Sequence, residues 1–352
     1  MSDTRNDPVQ ADVAVLIGRF QPFHRGHADL LALALASAPT VVLVLGSAYH
    51  ARSAKNPFTW QERAAMIGAT LDEADRARVQ FAPLRDHYDD QRWSAEVRAC
   101  VARLAPQAAR VALIGHFKDA SSYYLNHFPQ WQLVAADAER AVDATSIRRI
   151  LYEAEDVDVS LSVLDELAPR AVRQYLRAWT MLPHFGALAL EHAQVARYKA
   201  AWKGAPYSPI FSTVDALVRI NDHVLLIQRG GFPGKGLWAL PGGFVEQRER
   251  LLQAALRELG EETRLGMLDS MLEGALVAVK VFDHPDRSQR GRTITHAHYF
   301  ALTLEQLPSV EAADDAARVA WVPIDALMSM EEEFFEDHFH MLDTFLGLTP
   351  PP

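Results

Sequence analysis

The stretch VAVLIGRFQPFHRGH, residues 13–27, decides the fold of the first half of the chain. Its first residues, Val13–Ile17, are aliphatic and largely β-branched, which is typical of a buried strand. A helical pattern begins near Gly26 and ends near Ser37, so the loop between them joins a strand to a helix. A strand that feeds a helix in this way predicts the start of a parallel α/β sheet.

Further short apolar runs continue the same alternation of strands and helices. Strands are predicted at Val41–Leu45, Val79–Ala82, Val111–Ile114 and Leu133–Ala135. A mostly helical stretch follows from Ser146 to about Ala201. Alternating strands and helices favour a parallel sheet covered by helices.

The segment KGAPYSP, residues 203–209, introduces a second set of elements. Its glycine and prolines mark a break, and a chain of 352 residues usually divides into two cores. We therefore predict a first domain at 1–185, a helical linker at 186–206 and a second domain at 207–352. Strands are predicted in the second domain at Thr213–Ile220, Val224–Gln228, Gly274–Phe282 and Thr295–Leu302, and helices at Gln253–Thr263 and Glu331–Leu346.

Composition excludes several classes of partner. The net charge of −10 argues against wholesale binding to nucleic acid or to an anionic membrane, while it leaves room for local basic pockets that hold phosphates. The apolar stretch Leu30–Ala48 is broken by Ser37, Pro39 and Thr40, which favours a helix, a turn and a strand over a membrane span. The polar start of the sequence and the single cysteine, Cys100, lead us to expect a cytoplasmic protein.

The loop after the first strand carries two histidines three residues apart. In a parallel sheet, ligands bind beyond the carboxyl ends of the strands, and a helix N-terminus there favours anions. His24 and His27 can both donate hydrogen bonds to phosphate oxygens, and Gly26 allows close approach of the backbone. Surface histidines without a ligand are the alternative for an isolated HxxH, but the preceding strand and the glycine favour a phosphate site.

His24-Arg25-Gly26-His27 matches the HxGH signature of nucleotidylyltransferases, and the loop resembles that of archaeal-type nicotinamide mononucleotide (NMN) adenylyltransferases. The segment DATSIRRIL, residues 143–151, resembles the ISxTxxR element of that family. Helix capping by Thr145 and Ser146 is the alternative reading of this second motif. KNPFTWQER, residues 55–63, and GHFKDASSYYL, residues 115–125, resemble two further segments of the family.

The resemblance implies a Rossmann-like nucleotidylyltransferase domain that transfers an adenylyl group from ATP to NMN, with Mg²⁺ accompanying ATP. It implies that His27 and Arg148 stabilise the pentavalent phosphorus and the leaving pyrophosphate, while His24 holds ATP phosphates. Trp93 corresponds to an aromatic residue that stacks on the nicotinamide ring, although a core tryptophan is an equal alternative. The full implied set of ATP and NMN contacts is Gly18, Arg19, Phe20, Gly26, Lys55, Asn56, Trp93, Gly115, Lys118, Asp119, Thr145 and Ser146.

The second half carries an independent motif, GGFVEQRERLLQAALRELGEETRL, residues 242–265. Glu258, Glu261 and Glu262 stand at i, i+3 and i+4, so their carboxylates share one helix face. Such a set suits the hard, oxygen-seeking cations Mg²⁺ and Mn²⁺, which can bridge a diphosphate and activate water. A solvated acidic helix face is the alternative, which the upstream spacing of Gly243 and Glu249 disfavours.

This spacing matches the Nudix pattern GX5EX7REUXEE, and the resemblance implies a mixed α/β/α sandwich with those three glutamates as catalytic and metal-binding residues. It also implies that Glu249 pairs with Arg257, which orients Glu258. Arg264 replaces a glycine of the pattern, so a left-handed cap at the end of the helix is in doubt.

The segment FDHPDRSQRGRTITHAHYF, residues 282–300, resembles Nudix hydrolases that act on ADP-ribose. Its arginines, Arg287, Arg290 and Arg292, suit a sugar diphosphate, with a solvated turn as the alternative. The order of the two domains resembles the bacterial bifunctional NMN adenylyltransferase/Nudix hydrolase family over nearly the whole chain. The resemblance implies formation of NAD and hydrolysis of ADP-ribose to AMP and ribose 5-phosphate.

Two other functions stay open at this stage. One is a nucleotidylyltransferase for another phosphate substrate, such as phosphopantetheine or glycerol phosphate. The other is a regulator that senses ADP-ribose without cutting it, although the acidic, aromatic tail after Glu331 does not suit contacts with nucleic acid. That tail suits core packing or a subunit interface, so a homo-oligomer is left open, as is the choice between NMN and its nicotinate analogue.

Overall fold

The structure, a computed structural model, describes residues 11–115, 120–136 and 142–350. The chain divides into two compact units, the first reaching Ala189 and the second spanning Leu190–Pro350. The division falls inside one helix, Pro183–Ala201, so the segment predicted as a linker, residues 186–206, is helical over most of its length and contributes to both units.

The first unit is built on a five-stranded parallel sheet. Its strands are β1 Val13–Gly18, β2 Thr40–Leu45, β3 Val79–Pro83, β4 Val111–Gly115 and β5 Gln132–Ala135, in the spatial order β3-β2-β1-β4-β5. Because all five run in the same direction, their carboxyl ends meet at one edge of the sheet. The loops after β1, β2 and β4 therefore lie together.

Helices cover both faces of this sheet. They are α1 Arg25–Ser37, α2 Trp60–Gly68, α3 Glu73–Arg78, α4 Asp90–Leu104, α5 Ala144–Tyr152, α6 Val157–Val163, α7 Arg170–Thr180 and α8 Pro183–Ala201. Alternate strand residues point to opposite faces, so Leu16 and Leu43 join one core cluster and Val15 and Val42 join the other. Burial on both faces explains why β1, β2 and β4 are continuous apolar runs in the sequence, whereas β5 at the edge of the sheet is mostly exposed.

The second unit is a mixed sheet of seven strands. The strands are β6 Ile210–Ile220, β7 His223–Arg229, β8 Trp238–Ala239, β9 Gly242–Phe244, β10 Leu276–Phe282, β11 Arg292–Leu302 and β12 Ala316–Pro323. The main path is β10-β11-β6-β7-β12, with β8 paired to β7 and β9 paired to β6. β6 and β11 run parallel over eleven residue pairs, whereas the other pairs are antiparallel. The helices are α9 Leu251–Thr263, α10 Asp269–Gly274 and α11 His338–Leu346.

The prediction of one helix at Glu331–Leu346 is wrong for the part before His338. A 3₁₀ segment ends at Glu333, and α11 begins only at His338. Between them Phe334 is extended and bridges Trp238, and Glu336 has φ 44°, which breaks any continuous helix. The aromatic residues that gave the helical pattern are instead buried in this irregular segment.

The cap at the end of α9 forms despite the missing glycine. Arg264 has φ 44° and ψ 35°, and its N–H donates to the Gly260 carbonyl. A left-handed residue at this position is required to end the helix, and arginine adopts it at a steric cost that glycine would not have. The doubt raised by the sequence on this point is therefore removed.

Within the described part of the chain, each helix is too short or too polar to span a bilayer.

Candidate active sites

The loop after β1 is shaped by two buried phenylalanines. Phe20 and Phe23 are both fully buried, and Phe20 has φ 50°. A Cβ on Gly18 would lie 2.9 Å from the Phe20 ring, so glycine is required for this ring to fold back on the strand end. Since the Phe20 ring lies in the core, the predicted nucleotide contact of this residue can come only from its backbone.

The two motif histidines cap the N-terminus of α1 in a reciprocal arrangement. Nδ1 of His24 accepts from the backbone N–H of His27, and Nδ1 of His27 accepts from the backbone N–H of His24, each at 3.3 Å. Their rings stack with centroids 3.6 Å apart. Because each Nδ1 acts as an acceptor, this hydrogen-bond network assigns the proton of each neutral ring to Nε2. The arrangement therefore makes each Nε2 a hydrogen-bond donor at a helix N-terminus.

Gly26 lies against the ring of His24. A Cβ on Gly26 would lie 3.3 Å from Cε1 of the His24 ring, tighter than an ordinary carbon contact. The glycine between the histidines thus leaves room for the ring that caps the helix.

Arg148 brings the second motif to the first. Its Nη1 donates to the Gln21 carbonyl at 2.6 Å, and its Nη2 donates to Oγ1 of Thr145 at 3.2 Å. Burial lowers the pKa of Arg148 to about 10, and the positive charge of Arg19 adds to the shift, so Arg148 is still protonated at neutral pH. The exposed Arg19 and the partly buried Arg148 form a cationic pair beside the histidine loop.

The helix that carries Arg148 is capped by Asp143. This carboxylate accepts from the backbone N–H of Ser146 at 2.9 Å and from its hydroxyl at 2.8 Å. The alternative of helix capping by Thr145 and Ser146 does not hold, since Asp143 supplies the acceptor and leaves Thr145 exposed beside Arg148.

Sequence reasoning missed Arg63, a fully buried residue of α2. Its guanidinium donates to the carbonyls of Arg19 and Gly46 at 2.6 Å each and to the Ser47 carbonyl at 3.2 Å. These carbonyls follow the ends of β1 and β2, so Arg63 holds the two loops at the site edge. Burial lowers its pKa to about 10, which leaves it charged at neutral pH.

Replacing Arg63 with leucine is expected to destabilise the first unit by at least about 3 kcal/mol, because several buried carbonyls lose their donor at about 1–3 kcal/mol each. The free energy of unfolding of that unit, measured in urea, checks this. Arg149→Leu, at an exposed position of α5, is the control. A loss no greater in Arg63→Leu than in the control would contradict the assignment.

The other residues predicted for the first site occupy varied positions. Lys55 and Asn56 lie partly exposed in the loop between β2 and α2, and Oδ1 of Asn56 is buried without a hydrogen-bond partner. Trp93 packs edge-on against Tyr124 and Phe128, at the margin of the core. A Cβ on Gly115 would lie 2.7 Å from Leu125, which accounts for that glycine by packing. Lys118 and Asp119 lie outside the described residues.

The second site is centred on Arg257 of α9. Its Nε and Nη2 pair with both carboxylate oxygens of Glu249 at 3.0 and 2.7 Å. Its Nη1 donates to Glu258 and to Glu261 at 2.9 Å each. One guanidinium therefore ties the loop before α9 to two of the three carboxylates on the helix.

Two glycines of β9 face the carboxylates of α9. A Cβ on Gly243 would lie 2.4 Å from a Glu258 oxygen, and the Gly242 amide donates to Glu262 at 2.9 Å. Burial raises the pKa of Glu262 to about 8 against the opposing Gly242 hydrogen bond, and the negative charge of Glu258 contributes to the rise. Buried carboxylates that repel one another in this way are the donor set that suits a hard divalent cation.

As placed, these side chains do not form a closed metal cluster. Across residues 11–115, 120–136 and 142–350, no three Asp, Glu, His or Cys side chains converge as ligands. Arg257 holds Glu258 and Glu261 in the arrangement seen, and Glu261 is half exposed. The metal-ligand roles of Glu258, Glu261 and Glu262 remain a prediction.

Gly243→Ala is expected to lower hydrolysis at the second site at least about tenfold, because the added Cβ displaces Glu258. Gly260→Ala is a matched control on α9, where a Cβ meets nothing within 4 Å. That substitution should leave the rate unchanged and stabilise the helix by roughly 1 kcal/mol. Steady-state rates and thermal unfolding of both variants test this. Equal rates in the two variants would show that Gly243 is not required to seat Glu258.

The arginine-rich loop has more than one role. Arg287 forms a buried two-bond pair with Asp337 at 2.8 Å, which is structural. Arg292 donates to the Asp283 carbonyl. Cζ of Arg290 lies 5.1 Å above the Phe244 ring, beside the glycines of β9. The positive charges of Arg287 and Arg290 both lower the pKa of Asp215, so both lie near this buried carboxylate of the site.

Two more residues of this site were not predicted. Asp215 of β6 accepts from Oγ1 of Thr295 at 2.5 Å, and burial raises its pKa to about 6. Arg229 is held by the Pro233 carbonyl at 3.0 Å, and its charge lowers the pKa of Glu262. Asp215 lies within β6, and Arg229 is the last residue of β7. The sequences of these strands indicate only that they are buried, so no local pattern could have identified either residue as part of the site.

Comparison with known proteins assigns the two halves separately. Residues 15–150 match the cytidylyltransferase-like family, and residues 210–345 match the NUDIX domain family. A nicotinamide/nicotinic acid mononucleotide adenylyltransferase of Acinetobacter baylyi is 38% identical over 169 residues, which are 48% of this chain and 86% of that protein. A nicotinamide-nucleotide adenylyltransferase of Thermococcus kodakarensis is 29% identical over 46% of this chain and 81% of its own length.

A solved structure covers both halves at once. The bifunctional NMN adenylyltransferase/ADP ribose pyrophosphatase of Francisella tularensis, crystallised with AMP and a manganese ion, is 36% identical to this chain. The match has a TM-score of 0.87 and covers 96% of this chain and 99% of that one. Together with the two sites described above, this match shows that the chain belongs to the bifunctional NMN adenylyltransferase/Nudix hydrolase family.

Proposed function

We propose that the first unit transfers the adenylyl group of ATP to NMN, giving NAD and pyrophosphate, and that the second hydrolyses ADP-ribose to AMP and ribose 5-phosphate. The relatives with the corresponding names support both activities. A cytoplasmic setting fits the free, buried Cys100. The Acinetobacter relative is named for both mononucleotides, so NMN and its nicotinate analogue are both candidate substrates.

The observation that carries the first activity is the meeting of the two motifs at the Gln21 carbonyl. An NMN phosphate oxygen attacks the α-phosphorus of ATP in line, and pyrophosphate leaves, so no nucleophilic side chain is needed. The Nε2 donors of His24 and His27 point from a helix N-terminus, and Arg148 adds a fixed positive charge. These groups suit stabilisation of the charge on the phosphorus and on pyrophosphate.

The observation that carries the second activity is the set of carboxylates placed against Gly242 and Gly243. Glu258, Glu261 and Glu262 would hold Mg²⁺, with Mn²⁺ as a substitute. When bound, the metal polarises the diphosphate and lowers the pKa of a bound water molecule. Arg257 positions Glu258 and Glu261, and Arg290 offers a positive charge to the substrate.

One product assay tests both halves. The full chain is incubated with ATP and either NMN, its nicotinate analogue, phosphopantetheine or glycerol phosphate, and separately with a panel of nucleoside diphosphate sugars and Mg²⁺. We expect a dinucleotide from a pyridine mononucleotide and AMP from ADP-ribose. Products from phosphopantetheine or glycerol phosphate alone would refute the first activity. Tight binding of ADP-ribose without cleavage would refute the second and favour a sensor.

A further inference from the structure

Helix α8 carries a single acidic residue, Glu191, and its side chain is buried at 4% exposure. Burying a carboxylate is costly unless hydrogen bonds satisfy it. Glu191 stands just after the division between the two units and belongs to the second. Neither sequence motif includes it.

The Glu191 carboxylate joins two loops of the second unit. Oε2 accepts from the backbone N–H of Gly234 at 3.0 Å, in the loop between β7 and β8. Oε1 accepts from Nε2 of Gln289 at 3.2 Å, in the arginine-rich loop between β10 and β11. One side chain of α8 therefore fixes the relative position of these two loops.

Both loops contact the segment before α11 as well. The Gly234 backbone packs closely against the Phe335 ring, since a Cβ on Gly234 would lie 2.1 Å from that ring, and its φ of +75° also favours glycine. The Gln289 N–H donates to Glu336 at 2.8 Å. Gln289 is thus held from two sides, by Glu191 through its side chain and by Glu336 through its backbone.

The residue that follows Gln289 is Arg290, whose positive charge lowers the pKa of Asp215, a neighbour of Glu262. Its guanidinium lies over Phe244, at the end of the strand that contains Gly243, and its Nε is buried without a hydrogen-bond partner. A buried donor without a partner suits an anionic substrate that completes it. The orientation of Arg290 depends on the backbone that Gln289 and Glu191 hold.

We infer that Glu191 is a positioning residue for the second reaction, because it fixes Gln289 so that Arg290 is presented to the diphosphate of the substrate. This inference rests on the proposed hydrolysis of ADP-ribose.

Glu191→Ala in the full chain is expected to raise KM for ADP-ribose at least about tenfold, with kcat within about threefold, because a loss of substrate binding alone moves KM. Adenylyl transfer should be unchanged. Glu191→Gln should restore KM to within about threefold, since its oxygen can accept from Gly234 and its amide can donate to Gln289 after rotation of that amide. Arg197→Ala, at an exposed position of α8, is the control.

A second variant keeps the test valid if Glu191→Ala fails to fold. Gln289→Ala removes the same hydrogen bond from the other side, and should raise KM to a similar extent. Where both single variants fold, the double variant should raise KM no more than Glu191→Ala alone, because the Gln289 side chain acts through its contact with Glu191, whereas Glu191 also contacts Gly234.

The outcomes separate this inference from the proposed function. A wild-type chain that does not cleave ADP-ribose refutes the proposed function. A wild-type chain that cleaves it, with normal KM in Gln289→Ala and in any folded Glu191→Ala, overturns only the inference. An equal fall in both activities would also overturn it, since it would show a general structural role.

Discussion

Replacing His27 or Arg148 with alanine is expected to lower adenylyl transfer at least about a hundredfold, because loss of one preorganised donor to a developing oxyanion costs ~3 kcal/mol of barrier. Both side chains lie at the carboxyl edge of the parallel sheet, where Arg148 donates to Gln21 in the loop before the helix that carries His27. Hydrolysis of ADP-ribose should be unaffected. Initial rates of dinucleotide formation in the full chain measure the effect.

A second variant separates catalysis from helix capping at His27. Alanine removes both the Nδ1 acceptor for His24 and the Nε2 donor, whereas asparagine keeps an acceptor near the Nδ1 position. His27→Asn should therefore retain most of the stability and still lose the rate. A stable variant with a near-normal rate would assign His27 to capping alone.

The matched control for Arg148 is its neighbour Arg149, which is exposed on the same helix. Arg149→Ala changes the net charge by the same amount without touching the loop at Gln21. The rate should fall in Arg148→Ala and stay within about twofold in Arg149→Ala. Similar losses in both would point to a general effect of charge, which salt screens.

The pattern of apolar residues was sufficient to predict the strands and the first helix of the first unit. The predicted strand Val13–Ile17 is observed as Val13–Gly18, and the predicted helix near Gly26–Ser37 is observed as Arg25–Ser37. The strands β1, β2 and β4 are buried on both faces, so their sequences are continuous apolar runs that stand out from the polar loops. The loop after β1 follows such a run, so its position at the carboxyl end of a strand, and with it a phosphate site, could be predicted from the sequence.

Other features depend on tertiary contacts that no local pattern contains. The charged Arg63 resembles any surface arginine of an amphipathic helix, yet it is buried by carbonyls from two distant loops. The short strands β8 and β9 and the strand β12 exist because their partners provide a sheet edge, and sequence propensity alone did not predict them.

In the segment before α11, the local sequence pattern predicts a helix that does not form. Its aromatic and acidic residues have a helical pattern, but Phe335 is held by the Trp238 carbonyl and by the cation–π contact of Arg229. Glu336 takes a left-handed conformation while it accepts from Gln289. Contacts to the second site therefore override a local preference for helix, as tertiary context commonly does.

The carboxylates of α9 give the second large expected effect. Glu262→Gln and Glu258→Gln keep the shape of the side chain and an oxygen that can accept a hydrogen bond, so the Gly242 amide can still be satisfied in Glu262→Gln. Each change removes one negatively charged ligand from the predicted metal site. We expect metal-dependent hydrolysis of ADP-ribose to fall at least about a hundredfold, which corresponds to several kcal/mol of charge stabilisation by the metal.

The dependence on metal concentration distinguishes loss of a ligand from loss of the fold. A carboxylate that binds Mg²⁺ directly contributes to affinity, so raising Mg²⁺ should recover part of the rate in Glu262→Gln and Glu258→Gln. Adenylyl transfer by the same preparations should stay near normal, because each unit has its own core and the first keeps its site intact. Undiminished hydrolysis in Glu262→Gln at every Mg²⁺ concentration would refute the ligand assignment. Loss of both activities in a well-folded variant would instead refute the independence of the two sites.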